Sequence, residues 1–264
     1  MQMKLLTGAD PEVFYRRDGV LTSAYGIIPG DKQNPFRVLN GAVQVDGMAF
    51  EFNIDPAATR EEWVFNLTSV LAQLRDMVDG DLEIEPIAEF GAEYIDSQPE
   101  KAVELGCEPD FNAWSGEENP RPNGRLPFRT GAGHIHSGFC EGRDTSSPGH
   151  RSVCETVVKQ LDARLGLASL LLDPCTKRRE MYGQAGAYRP KSYGVEYRVL
   201  SNFWLKSPEL MEWAFDTCHA AMQELEDGKV WVDVYPDIQL IINSSDVEAA
   251  RAIVTAEGWS VPNV

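Results

Sequence analysis

A chain of 264 residues with 43% hydrophobic content is long enough to bury a full core as one large domain. Its formal net charge of -17 and pI near 4.6 argue against a duplex-binding surface, which needs clustered basic charge to displace counterions from phosphates, so small molecules are the expected partners. No basic segment followed by a long apolar run opens the chain, the longest apolar stretch (residues 167–172) is too short to span a bilayer, and five cysteines without any C-x-x-C indicate neither a disulfide framework nor a zinc knot. A soluble protein of the reducing cytoplasm, with no membrane association, is the expectation.

Residues 5–16 read as one extended segment in which Asp10 and Glu12 share a face. A loop punctuated by Pro29, Gly30, Asn34 and Pro35 precedes a strand pair over 43–54, where Met48, Phe50, Phe52 and Ile54 form one face and Ala49, Glu51 and Asn53 the other. Thr59 with Glu62 resembles a capping box, and Trp63, Leu67, Leu71, Leu74 and Val78 recur at helical spacing until Gly80; this helix is expected to cover the Met48/Phe50/Phe52 face. Residues 82–90 alternate as a further strand. The stretch 106–128 is rich in Pro, Asn and Gly, but Phe111, Trp114 and Phe128 favour an ordered loop. A glycine-rich strand is expected over 130–139. The helix expected over 148–166 carries Val153, Val157, Leu161 and Leu165 on one face. Ser207-Pro208-Glu209 starts another helix ending near Gly228, residues 230–234 suggest a strand, and Ser245 with Glu248 opens a last helix.

The most informative stretch is residues 194–200. As a strand it points Glu196, Arg198 and Leu200 one way and Val195, Tyr197 and Val199 the other. A lone E-x-R is commonly a weak surface ion pair. Here, however, Lys177, Arg178, Arg179, Arg189, Lys191 and Arg198 gather in an otherwise anionic chain, as an anion site would require. Four extended segments carry polar groups on one strand face: Asp10 and Glu12, Glu51 and Asn53, His134 and His136, Glu196 and Arg198. A large, mainly antiparallel α+β sheet with helices on its other face would gather them in a concave site. Three glutamates and a histidine suit Mg2+ or Mn2+ bridging phosphate oxygens better than a thiolate-type zinc site. Gly131, Gly133 and Gly138 fit a strand closely approached by a ligand or by backbone.

Four ordered motifs carry a resemblance. Gly8-x-Asp10-x-Glu12, Asp46-Gly47-x-Ala49-x-Glu51-Phe52-Asn53, Gly131-x-Gly133-His134-Ile135-His136-x-Gly138 and Tyr182-Gly183-x-x-Gly186-x-Tyr188-Arg189-x-x-x-Tyr193-Gly194-Val195-Glu196-Tyr197-Arg198 resemble the type 2 phage carboxylate-amine ligases, or amidoligases, across residues 4–206. The resemblance implies a glutamine synthetase-like catalytic fold, also akin to glutamate-cysteine ligase, as a single domain over 1–264. It also implies ATP-dependent joining of a small-molecule or peptide carboxylate to an amine through an acyl phosphate, in a host-cell cytoplasm if the protein is phage-encoded. On this reading Glu12, Glu51, His134 and Glu196 hold Mg2+ or Mn2+. Arg198, Glu51 and Arg189 act in catalysis, and Arg179, Arg189, Arg198, His136 and Asn53 bind ATP or the substrate carboxylate. A guanidine kinase using similar arginines, a zinc-dependent hydrolase built on His134, His136 and a Glu, and a non-catalytic binding module are the competing classes.

Overall fold

The computed structural model describes residues 5–105, 110–124 and 126–262. In chain order the strands are β1 (Leu6–Ala9), β2 (Glu12–Arg17), β3 (Val20–Thr22), β4 (Phe36–Val38), β5 (Gly41–Asp46), β6 (Ala49–Ile54), β7 (Asp81–Glu83), β8 (Ile87–Glu89), β9 (Phe111–Asn112), β10 (Phe128–Thr130), β11 (Ile135–Gly138), β12 (Ala187–Lys191) and β13 (Gly194–Tyr197). One sheet runs β1-β11-β13-β12-β9. A second runs β3-β2-β6-β5-β4 with β7 also on β2, and β10 pairs β8 apart from both. These pairings are antiparallel, as an α+β chain requires, but the single large sheet expected from sequence is divided in two.

The division starts at Pro11. Proline lacks an N–H and locks φ, so it breaks the ladder between β1 and β2. The expected single segment therefore becomes two strands serving different sheets. The sheets stay joined along this seam: Thr7 and Ala57 exchange backbone hydrogen bonds of 2.9 and 2.8 Å, and the Glu12 N–H donates to the Ala132 carbonyl at 2.8 Å.

Helices cover one side. Helix Arg60–Asp76 is capped by the Thr59 hydroxyl, which accepts from the Glu62 N–H, while the Glu62 carboxylate accepts from the Ala58 N–H. Its Trp63, Leu67, Val70, Leu71 and Leu74 are buried in one core with Phe50, Phe52 and Ile54, each such side chain contributing about 1.5–3 kcal/mol. Met48 is also buried, but against Ile95 and Ala102 instead of this helix. Helix Pro208–Glu226, with Pro at its first turn and Ser207 capping Leu210 N–H, adds Leu210, Met211 and Trp213 to the same core, beside Val195, Tyr197 and Val199. The alternation expected for residues 194–200 holds as far as Val199, with Val195, Tyr197 and Val199 in the core and Glu196 on the other face, but the strand itself ends at Tyr197 and Leu200, expected beside Glu196, joins the core instead.

Several local expectations are corrected. Pro86 splits 82–90 into β7 and β8, which serve different sheets. Residues 230–234 form a turn of helix, Trp231–Val234, because Trp231 packs edge-on against Trp259 and its N–H donates to Gln160 Oε1; five alternating residues cannot specify a period. Val153 is half exposed. Ser245, at φ 54°, ends an unanticipated helix, Ile238–Ser244, and Asp246 rather than Ser245 caps helix Val247–Ala256. Phe111, Trp114 and Phe128 do order their loop, within its described residues. Among the described residues no helix is long and apolar enough to cross a membrane.

The 148–166 helix runs as Pro148–Leu161 and then relaxes into a π-helical turn, Asp162–Gly166. This turn presents the buried Asp162 carboxylate to the Tyr197 hydroxyl at 2.8 Å and to the Trp114 indole N–H at 2.7 Å. Burial pushes Asp162 up to about 7 despite these donors. A raised acid favours the fold below its unfolded value and loses that contribution as pH climbs to the folded value. Relative to Asp162→Asn, the native protein is therefore expected to lose on the order of 4 kcal/mol between pH 4 and 8. Urea melts across that range check it, and parallel curves would refute it.

Candidate active site

Register assembles the first part of the site. His136 on β11 lies opposite both Gly8 on β1 and Glu196 on β13, and Glu196 lies opposite Arg189 on β12. Directly opposed residues in antiparallel strands share a face, so His136, Glu196 and Arg189 form a row across the sheet. Gly194 starts β13 at φ +151°, where an added Cβ would stand 2.0 Å from the Ser137 carbonyl oxygen. At Gly133 a Cβ would meet the Ser201 carbonyl oxygen at 2.2 Å. The glycine before His134 is thus required by backbone approach.

The Glu196 side chain is fully buried among cations. Lys191 Nζ lies 2.7 Å from its Oε2, Arg189 Nη1 lies 3.6 Å from Oε1, and Arg198 Nη1 contacts Oε1 directly. Arg198 also reaches Asp110 Oδ2 through Nε at 3.2 Å, and its guanidinium carbon stands 5.1 Å from the Tyr182 ring centre. Asp10, at the Pro11 seam, places Oδ1 3.2 Å from both His134 Nδ1 and His136 Nε2. Ligand atoms of Asp10, His136 and Glu196 lie within 4.8 Å of one another, close enough to share a cation.

The second part is acidic. Glu12 on β2 opposes Glu51 on β6, Glu51 opposes Gln44 on β5, and Asp46 ends β5. The carboxylates of Glu12, Asp46 and Glu51 also converge within 4.8 Å. Gln44 Nε2 donates to Glu51 Oε1 at 2.9 Å, and Lys32 Nζ stands 2.7 Å from Asp46 Oδ2. Three carboxylates against one half-exposed lysine leave excess negative charge, the donor set that a hard divalent cation would satisfy.

Electrostatics separate the two parts. Burial and the nearby Asp46 charge push Glu12 up to about 7; burial, then Asp10, Asp46 and Glu12, hold Glu51 well above the usual carboxylate range. Asp10 goes the other way: burial would raise it, but His136 and His134 hold it well below. The histidines also diverge. Burial and then the Arg198 charge depress His134 to about 4, whereas for His136 burial, the largest single influence, is outweighed by Asp10 and Glu196 together, which raise it. His136 Nδ1 meets the Tyr193 hydroxyl at 2.5 Å. The buried His134 Nε2 makes no hydrogen bond among the described residues.

Of the residues expected from sequence, Glu12, Glu51, His134, His136, Glu196, Arg189 and Arg198 come together. Glu12 and Glu51 share one group with Asp46, whereas Glu196 stands in the other with Asp10 and His136; His134 borders the latter. Asn53 lies two residues past Glu51 on the same face of β6, opposite Ala42. Arg179 is elsewhere: its Nη1 donates to the Cys175 carbonyl and the Ser245 hydroxyl at 3.0 and 3.2 Å, tying helix Thr176–Met181 to the C-terminal helices. Its neighbour Arg178 donates to the Val199 and Leu200 carbonyls. Part of the basic cluster is therefore structural. Asp10 and Asp46 stood in the quoted motifs without being assigned as ligands; strand alternation suffices to find Asp10, while Asp46 needs the β5–β6 register. Lys32 and Asp110 come from loops with no period to reveal them.

A family model described as phage phiEco32-like COOH.NH2 ligase-type 2 matches residues 125–256, half of the chain. The matched span contains His134, His136, Arg189, Glu196 and Arg198 and stops short of Glu12, Asp46 and Glu51. A search of curated proteins returned no match to the chain.

Proposed function

Since the chain belongs to the phage phiEco32-like COOH.NH2 ligase-type 2 family, we propose that it joins a carboxylate to an amine at the expense of ATP, through an acyl phosphate, on a glutamine synthetase-like sheet. The observation that carries this reading is the proximity of two cation-suited groups, one on each sheet and near enough that the Asp10 charge acts on Glu51, the second of them walled by Arg189, Lys191 and Arg198. Glu12, Asp46 and Glu51 would hold one Mg2+ or Mn2+, and Asp10, His136 and Glu196 a second. Bound metal would supply charge neutralisation for a phosphoryl group. Arg198 and Arg189 would bind the anionic reactants and oppose charge developing between them. Tyr193 would orient the His136 ring through Nδ1, leaving Nε2, on the side of Asp10, as the ligand atom.

The test is a screen of amino acids and polyamines for ADP release, with mass spectrometry of the products. Amine-dependent ADP release with a product weighing acid plus amine less water is expected. A phosphorylated product without a new bond between substrates would favour a kinase, and turnover without nucleotide a hydrolase.

Metal binding offers a separate check. Glu12 and Glu51 shed protons when they bind a cation, so Mg2+ affinity is expected to rise as pH passes through about 7. ATP affinity is expected to fall in chelator, since the carboxylates would face a triphosphate unscreened. Calorimetry measures both; a pH-independent Mg2+ affinity, or ATP affinity unchanged in chelator, would remove these carboxylates from the assignment.

A further inference from the structure

β9 pairs with Ala187 and Tyr188 of β12, and beyond it, beside Arg189 and Lys191, lies a cavity of about 420 Å³. Its wall includes Arg151, Arg189, Lys191, Thr145, Ser146 and Phe111, and no carboxylate lines it among the described residues. In a chain of net charge -17, such a wall is a concentration of positive potential. The Arg151 guanidinium carbon lies 4.0 Å from the centre of the Phe111 ring, so it occupies an aromatic face that a flat ligand would otherwise use. Thr145 and Ser146 sit just ahead of helix Pro148–Leu161, whose first turn carries no acidic residue. The nearby Asp144 carboxylate is engaged by the Ser146 N–H and hydroxyl, at 2.9 and 2.7 Å. His150 Nε2, 2.8 Å from the Lys191 carbonyl oxygen, ties this helix to β12 and fixes the two basic walls relative to each other.

Arg189 and Lys191 belong to both places: they stand against Glu196 in the candidate active site and line this cavity. We propose that the cavity is a subsite for a second anionic group of the acid substrate, so that the acid carries a carboxylate or phosphate besides the carboxylate that reacts. This assignment rests on the ligase reading above for the word substrate, though not for the binding itself. Cations with neighbouring hydroxyls and a helix N-terminus suit oxyanions, and the occupied Phe111 face disfavours a base-stacking ligand.

The test is equilibrium binding, without ATP, of glutarate, butyrate, inorganic phosphate and ADP to the native protein and to Arg151→Gln. Glutarate is expected to bind at least about tenfold more tightly than butyrate, and Arg151→Gln to abolish most of that preference while leaving butyrate unchanged. Phosphate binding weakened in the same variant would assign the second group as a phosphate as readily as a carboxylate. Because Arg151 also packs on Phe111, Thr145→Glu on the exposed loop supplies an independent variant, expected to weaken glutarate by like-charge repulsion with an unchanged Tm. Glutarate binding no tighter than butyrate, or unaffected by both variants, would overturn the proposal. Weakening of ADP but not of glutarate or phosphate would overturn it too, giving the cavity to the nucleotide. Failure of the ligase reading is distinct, since it would appear as absent amine-dependent ADP release with Arg151-dependent glutarate binding intact.

Discussion

Arg198→Lys is expected to lower kcat by about 10²-fold or more while changing ATP affinity little. The guanidinium makes two charged contacts at once, Nη1 to Glu196 and Nε to Asp110 Oδ2 at 3.2 Å, and also stands over the Tyr182 ring. A lysine keeps the charge but presents a single point, so it cannot hold the Glu196 and Asp110 contacts in one plane. If Arg198 acts on charge that develops during reaction, loss of the fork falls on turnover more than on binding. Steady-state kinetics on the folded variant, with its Tm measured alongside, decide the matter. Near-normal turnover would reduce the Glu196 contact to an ordinary ion pair and remove the main support for phosphoryl transfer on this face.

Glu196→Gln and Glu51→Gln are expected to move stability in opposite directions. Glu196 is fully buried against Lys191, Arg189 and Arg198, and neutralising it strands positive charge in the interior, at a cost of about 3–5 kcal/mol. Glu51 has the reverse surroundings. Burial, Asp10, Asp46 and Glu12 raise it, so its contribution favours the metal-free fold below its ordinary value of 4.5 and is lost as pH climbs toward the raised value. Glu51→Gln should therefore equal the native protein in acid and exceed it in stability as pH rises, with Gln44 still able to donate to the new amide oxygen. Melts in chelator at several pH values test both. A destabilised Glu51→Gln at high pH would make that carboxylate a structural partner, and an unaffected Glu196→Gln would mean that its cations find other anions.

The sequence by itself determined the strand faces and the principal helices. Residues 194–200 alternate with period two, which settles that Glu196 and Arg198 point away from a core holding Val195, Tyr197 and Val199. Thr59 with Glu62, and Pro208 after Ser207, mark helix starts by local hydrogen bonding and fixed φ, which need no distant partner. Tertiary structure alone decided which strand lies beside which. Residues 5–16 read as one segment despite Pro11, and that Asp10 turns to the histidines while Glu12 turns to Asp46 and Glu51 follows from β1 pairing β11 and β2 pairing β6, across long sequence separations. The basic cluster divides for the same reason. Arg178, Arg179, Arg189 and Arg198 are alike in composition, yet the first two donate to backbone carbonyls and the last two face Glu196. A side chain's charge is local, whereas the partner that gives it a role is set by packing and register.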